Sequence, residues 1–332
     1  MEQTLVCGTP SEVKKSIKKD RPRSVLFDLT IIFPYVTGYY ICTFQPGLGF
    51  GVKMLVTLLY IYLVIFVCAV VHEYGHFREF RRIGIRTVEV GLGLPVSFTL
   101  FSFKWKGITW SVYPLLVGAF VKPDRKQLST TAHQAARDGN ELFFDGLLNA
   151  FAGGIRWNIY LSTTAYGLAF CLEPKLFKAM KDNPVLLWHG IACVMLLLSC
   201  LNRRFFSRWG VPLIGLLTLT GLIVLAILHP NKFGGMLQGA DAMKPMVQNG
   251  LVLKPYIALI FMSAMSLILA ASNCLPFGPL DGGQITTLRL HDYEWIPMGF
   301  IRNFKMVGMF LVVLLVILPF LLDASWLFQR QH

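Results

Sequence analysis

Three residues in one short stretch could do chemistry together. In VCAVVHEYGHF, residues 67–77, His72, Glu73 and His76 stand in the order H-E-x-x-H at the end of a long apolar run. On a helix, positions i and i+4 share a face. Two imidazoles on that face can hold one zinc ion, and Glu73 beside them can take a proton from water activated there. Chance rarely supplies the pattern: at this His and Glu content the expectation is on the order of 0.01 or less. A pair of satisfied core histidines is the bland alternative, and the weaker one. About 20 apolar residues precede the motif, enough to enter a bilayer, so this chemistry is expected inside a membrane.

Two ligands leave zinc incomplete, because a catalytic site needs a third protein ligand and one open position. The candidate is Asp281, in NCLPFGPLDGG, residues 273–283. An acid bracketed by Pro and Gly, where an apolar segment breaks, is placed to reach inward. Taken alone, L-D-G-G is more often a turn with a capping Asp. The expected ligand set is therefore His72, His76 and Asp281 around one Zn²⁺, with Glu73 as the catalytic base.

The elements that must position these residues are apolar. The chain of 332 residues is 55% hydrophobic and 15% charged, against about 25% charged in soluble domains. Seven segments read as transmembrane helices: about Leu26–Phe44, Met54–His76, Leu147–Leu172, Pro184–Leu201, Gly210–Leu228, Leu253–Cys274 and 304–322. Residues 1–24 form a basic N-terminus that does not read as a cleavable signal peptide. The net charge of +13 raises the question of nucleic acid. That partner is rejected, because the basic residues fall in loops between apolar segments. With the N-terminus in the cytoplasm, the inner pieces 1–24, 77–146, 202–208 and 281–305 hold 22 of the 31 Lys and Arg, as the positive-inside rule expects. The loop 173–183, with Lys175, Lys178 and Lys181, fits the outer side less well. The same parity brings Asp281 to the side on which His72 and His76 end. The seven cysteines show no C-x-x-C spacing, so neither a disulfide framework nor a cysteine zinc site is indicated.

Residues 87–121 break the helical pattern. They are rich in β-branched and aromatic residues, with Gly and Pro punctuation, and Phe101, Phe103 and Trp105 alternate with Ser102 and Lys104. That favours short strands. Non-helical backbone at membrane depth is tolerated only when buried in protein or lining a wet cavity. An amphipathic hairpin dipping toward the zinc site fits; an ordinary cytoplasmic hairpin is the alternative. The fold class expected is an all-α polytopic membrane protein with a small membrane-associated β-hairpin or sheet after the zinc helix.

HEYGH together with NCLPFGPLDGG resembles the site-2 protease family, the intramembrane zinc metalloproteases. HEYGHFREFRRIGIRTVEVGLGLP and VGAFVKP resemble that family's segment after the zinc helix, which implies a membrane-dipping sheet that receives the substrate as an added strand. FAGGIRWN, residues 151–158, is similar to the family's A-G-P-x-x-N segment, with Gly154 and Asn158 at matching positions and Ile155 in place of the usual Pro. By this resemblance Asn273 and Asn158 are expected to bind substrate backbone; alternatively, each only hydrogen-bonds a helix break. The resemblance covers the second, third and sixth segments and the β region; residues 25–332 are expected to form one metalloprotease domain, with 184–228 as an extra helix pair.

The activity implied is hydrolysis of a peptide bond within or next to a transmembrane segment of a substrate protein. The plasma (inner) membrane of a prokaryote is the expected setting. A non-proteolytic zinc sensor, chaperone or transporter on the same scaffold is the alternative, but a purely structural metal needs no general base. A prenyl-protein-processing zinc protease would call for a downstream glutamate ligand where this chain has L-D-G-G. Arg156, inside an apolar segment, is expected to snorkel to the interface, pair with an acid such as Asp145, or line the substrate path.

Overall fold

The computed structural model describes residues 52–228 and 255–291, apart from 94, 96–97, 115–117 and 279, together with a few positions between 299 and 310. The basic N-terminus, the segment Leu26–Phe44 and the loop 229–251 lie outside the described residues, as does most of the last segment, 304–322.

Helix α1 runs from Val52 to Arg82, with Arg81 and Arg82 in its last turn, where cations favour the negative end of the helix dipole. Four strands follow: β1 (Thr87–Leu92), β2 (Phe101–Trp105), β3 (Ile108–Val112) and β4 (Ala119–Pro123). They form one mixed sheet in the order β2-β3-β1-β4, with β1 parallel to β3 and the other pairs antiparallel. The expected hairpin is thus one part of a larger sheet. Lys106 and Gly107, with φ of 51° and 78°, make the two-residue β2–β3 turn, and positive φ at both positions matches the twist of the flanking strands. The rings of Phe101, Phe103 and Trp110 stack in sequence with centroids 6.4 Å apart. Every residue of β2 is exposed. An apolar edge strand of this kind would template aggregation in water and suits the aromatic belt of a membrane interface.

Asp124 caps α2 (Arg125–Arg137), its carboxylate accepting from the Lys126 and Gln127 backbone N–H groups. Asn140 likewise caps α3 (Glu141–Leu172). A short α4 (Leu176–Asp182) leads to α5 (Pro184–Leu201), which starts with Pro at its first turn and Asn183 as cap. A connector through a π-helical turn, Phe206–Gly210, enters α6 (Val211–Leu228). Then come α7 (Pro255–Asn273) and α8 (Asp281–His291).

Four spans among the described residues are long and apolar enough to cross a membrane: Ile61–Arg82, Pro184–Leu201, Arg203–Val224 and Pro255–Asn273. They coincide with the second, fourth, fifth and sixth expected segments. The third expected segment lies in α3, which is long enough but carries Arg156 and Asn158 and is not among the four. Helix α3 is instead the centre of the bundle, packed by α1 on one side and α7 on another. A helix enclosed by protein can carry polar groups that a lipid-facing helix cannot. The core joins Ile155 and Ile159 of α3 to Phe206 of the α5–α6 connection, Val211 at the start of α6, Ala270 of α7, Cys274 just beyond it and Ile285 of α8. The α5–α6 pair is therefore packed into the core that α3, α7 and α8 share.

Arg156 pairs with an acid, one of the expected outcomes, but the acid is Glu79 and not Asp145. The side chain is 2% exposed and its guanidinium lies 3.4 Å from Glu79 Oε1, while it also donates to Asn149. Glu79 in turn meets Arg82 and Arg203. Asp145 is engaged elsewhere, by Arg204 at 2.7 Å and Arg208 at 2.6 Å.

Candidate metal centre

Helix α1 fixes the first pair by its own periodicity. His72 and His76, both buried, lie one turn apart on α1 with their Nε2 atoms 3.1 Å from each other. The third group arrives from 205 positions further along the chain. Asp281 opens α8, and its Oδ2 lies 3.0 Å from His72 Nε2 and 3.2 Å from His76 Nε2. Tetrahedral zinc with bonds of 2.0–2.1 Å holds its ligand atoms about 3.3 Å apart. Three atoms at 3.0–3.2 Å form a triangle that such an ion fits with little movement. Glu73 is the neighbour, its carboxylate within 4.8 Å of both imidazoles.

The outer ring nitrogens also fit a metal. His76 Nδ1 donates to the Ala150 carbonyl at 2.8 Å, which leaves the Nε2 lone pair free. His72 Nδ1 lies 3.1 Å from Asn158 Nδ2, while Asn158 Oδ1 is buried with no partner. Turning that amide through 180° brings Oδ1 to His72 Nδ1–H. One rotation then satisfies the orphaned oxygen and frees His72 Nε2, the arrangement that metal-bound histidines adopt. Asn158 itself is held by Ser266 Oγ, which donates to its main-chain carbonyl at 2.9 Å.

Space is set by glycine. A Cβ on Gly154 would stand 2.6 Å from the Nε2 atoms of both histidines, closer than real side chains approach. Where α1 crosses α3, a Cβ on Gly153 would stand 2.7 Å from the Gly75 carbonyl oxygen. The A-G-G run at 152–154 thus lets the two backbones touch and brings α3 directly behind the imidazoles.

Of the expected site residues, the structure gathers His72, Glu73, His76 and Asp281 at one point. It sets Asn158, fully buried, against His72. Asn273 ends α7, and its amide donates to the Leu269 carbonyl at 3.0 Å. Sequence reasoning missed the Asn158–His72 contact, although a buried Asn beside an A-G-G close approach was a usable signal. It also missed Glu79, whose only sequence mark is its place one turn beyond His76 on an apolar helix.

A cavity of about 600 Å³ lies between α1 and the sheet, with Glu73 and Tyr74 at one end and Arg81, Arg86 and Lys106 at the other. On its sheet side, Val121 of β4 lines the cavity together with Glu73. On the opposite sheet face Ser111, Tyr113 and Lys122 surround Glu89. Burial, with Glu89 beside it, pushes the Tyr113 phenol above its ordinary pKa, so this contact pairs a neutral phenol with a carboxylate.

No curated protein and no solved structure is similar enough to the chain to count as a match. Residues 60–316 do match the model of Peptidase family M50. That stretch runs from the zinc helix past Asp281 and covers well over half of the chain, which therefore belongs to this family of zinc metalloproteases, the site-2 protease family.

Proposed function

We propose that this membrane protein is an intramembrane endopeptidase that hydrolyses a peptide bond within or next to a transmembrane segment of another protein. The observation that carries the reading is the convergence of His72, His76 and Asp281 beside a glutamate that opens onto a cavity. These three residues would hold one Zn²⁺, which when bound polarises a carbonyl and lowers the pKa of water toward ~7. Glu73 takes up the proton released by the attacking water and returns it to the leaving amine.

A helical substrate hides its carbonyls in hydrogen bonds, so it must be extended before attack. The edge of β4, unpaired among the described residues, suits capture of the unwound segment by strand addition. Asn273, at the break between α7 and the Asp281 loop, is the substrate-backbone contact in this reading. Asn158 orients His72. The bilayer on which the protein acts is that of a prokaryotic plasma (inner) membrane with the N-terminus in the cytoplasm, a reading supported by the distribution of Lys and Arg.

The experiment compares membrane-protein fragments in cells producing wild-type protein and the Glu73→Gln variant. Proteolysis requires fragments that appear only with wild type, while Glu73→Gln still binds zinc. Identical fragment patterns would favour a zinc-dependent sensor or transporter on this scaffold.

A further inference from the structure

The far end of the cavity beside Glu73 contains more positive charge and more hydrogen-bond donors than its own structure uses. Glu73 is the single acid among the cavity-lining residues. Arg81 and Lys106 lie over aromatic rings, Phe77 at 5.6 Å and Trp105 at 4.8 Å, and form no ion pair among the described residues. The Arg86 guanidinium reaches the β2–β3 turn, 3.9 Å from where a Cβ on Gly107 would stand. The nearby acids are engaged elsewhere: Glu79 by three arginines, Glu89 by Lys122, and Asp145 by Arg204 and Arg208.

Two buried donors in the same wall lack partners. Thr87 Oγ1 and Trp110 Nε1 have no hydrogen bond among the described residues, although Thr87 is only 5% exposed. A register shift between Thr87 and Glu89 accounts for Thr87 lining the cavity together with Val90 and Leu92, because a bulge moves a side chain to the other face of its strand. An indole N–H can only donate. Leaving such a group buried and unpaired costs free energy, so these groups call for an acceptor within the cavity.

We propose that this end of the cavity is a specificity subsite for a carboxylate side chain, Asp or Glu, on the substrate segment that leads from the scissile bond toward the arginine-bearing end of α1. The proposal rests on the proteolytic reading of the site. Arg86 and Lys106, with Arg81 beside them, supply charge, and Trp110 and Thr87 supply unpaired donors. The helical rise from Glu73 to Arg81 is about 12 Å, and an extended strand covers that in about four residues. The acid therefore belongs about four residues from the cut. A lipid phosphate would meet the exposed cations from outside and would leave Thr87 and Trp110 unpaired, which is why a chain inside the cavity is favoured.

The test uses the full, zinc-loaded chain carrying Glu73→Gln in zwitterionic nanodiscs, so that nothing is cleaved. The probes are two fluorescent Val/Thr-rich ten-residue peptides that differ by one Glu or Gln four positions from the centre. The Glu peptide is expected to bind about tenfold tighter, with an advantage that shrinks as salt rises. Adding Arg86→Gln and Lys106→Gln should abolish that advantage, and Trp110→Phe, which keeps a ring and removes the N–H, should reduce it severalfold. Equal binding of the two peptides overturns the proposal, as does an advantage that survives Arg86→Gln and Lys106→Gln. Variants that lose only binding to phosphatidylglycerol vesicles, with the peptide difference intact, overturn it in favour of a lipid contact. Fragments that fail to depend on Glu73 in cells would sink the proteolytic reading itself, a separate result from peptide discrimination by the uncleaving variant.

Discussion

Asn158 meets His72 at Nδ1, the ring nitrogen opposite the one that faces Asp281. The contact links the centre of α3 to His72 of α1 and, with the Asn158 oxygen turned toward the ring, leaves Nε2 free for an ion. It also ties the two helices through Ser266 of α7, which holds the Asn158 carbonyl. A single polar chain thus runs from α7 through α3 to the metal centre.

The first prediction concerns that chain. Asn158→Leu keeps volume close to native and removes the acceptor of His72 Nδ1–H. Loss of such an outer partner weakens metal affinity by about 10–100-fold. Zinc competition with a chelator should show a loss in that range for Asn158→Leu, whereas Ser266→Ala, one step further back, should show less. Equal affinity in wild type and Asn158→Leu would assign the asparagine to substrate alone.

Much of this centre could be read from the sequence because its main signals are local. H-E-x-x-H needs only the helical period to place His72, Glu73 and His76, and the break at L-P-F-G-P-L-D-G-G marked Asp281 as a residue able to turn inward. Apolar length gave α5, α6 and α7 to within a residue or two. What could not be read was partner choice over long separations. Arg156 could reach any acid along the chain, and only packing of α3 against α1 selects Glu79 over Asp145. The parallel pairing of β1 with β3 escaped for the same reason: alternation reports that strands exist and which residues share a face, not which strand lies beside which. Helix α3 shows a related limit, since hydropathy measures suitability for lipid and the polar middle of α3, around Arg156 and Asn158, is enclosed by protein.

Glycine at 154 sets the second prediction. Gly154→Ala puts a methyl group 2.6 Å from both Nε2 atoms, so the imidazoles or α3 must move. Zinc affinity should fall at least tenfold, while Gly167→Ala on the same helix, with nothing within 4 Å, should leave zinc binding unchanged. Metal titration of the two variants side by side checks this, and equal affinity would show that the site relaxes freely.

The third prediction separates the ligand carboxylate from a structural one. Asp281→Asn replaces a charged oxygen donor by a neutral amide, so zinc stoichiometry in purified protein should drop well below one per chain. Asp145→Asn weakens the pairing with Arg204 and Arg208 and should leave zinc stoichiometry unchanged. Full zinc content in Asp281→Asn would move the third ligand elsewhere.

The fourth prediction concerns the buried charge one turn beyond the centre. Glu79→Leu leaves Arg156, 2% exposed, with only its hydrogen bonds to Asn149. Removing one member of a buried ion pair costs about 3–5 kcal/mol. Arg156→Met is milder, because Glu79 keeps Arg82 and Arg203, both partly exposed. Unfolding in detergent should therefore rank wild type above Arg156→Met and Arg156→Met above Glu79→Leu. In the double variant, Arg156→Met should recover part of the loss caused by Glu79→Leu, because no stranded guanidinium remains. Strictly additive losses would mean that the two charges do not interact, and the α1–α3 contact would then rest on the glycine crossing and the hydrogen bonds of His72 and His76.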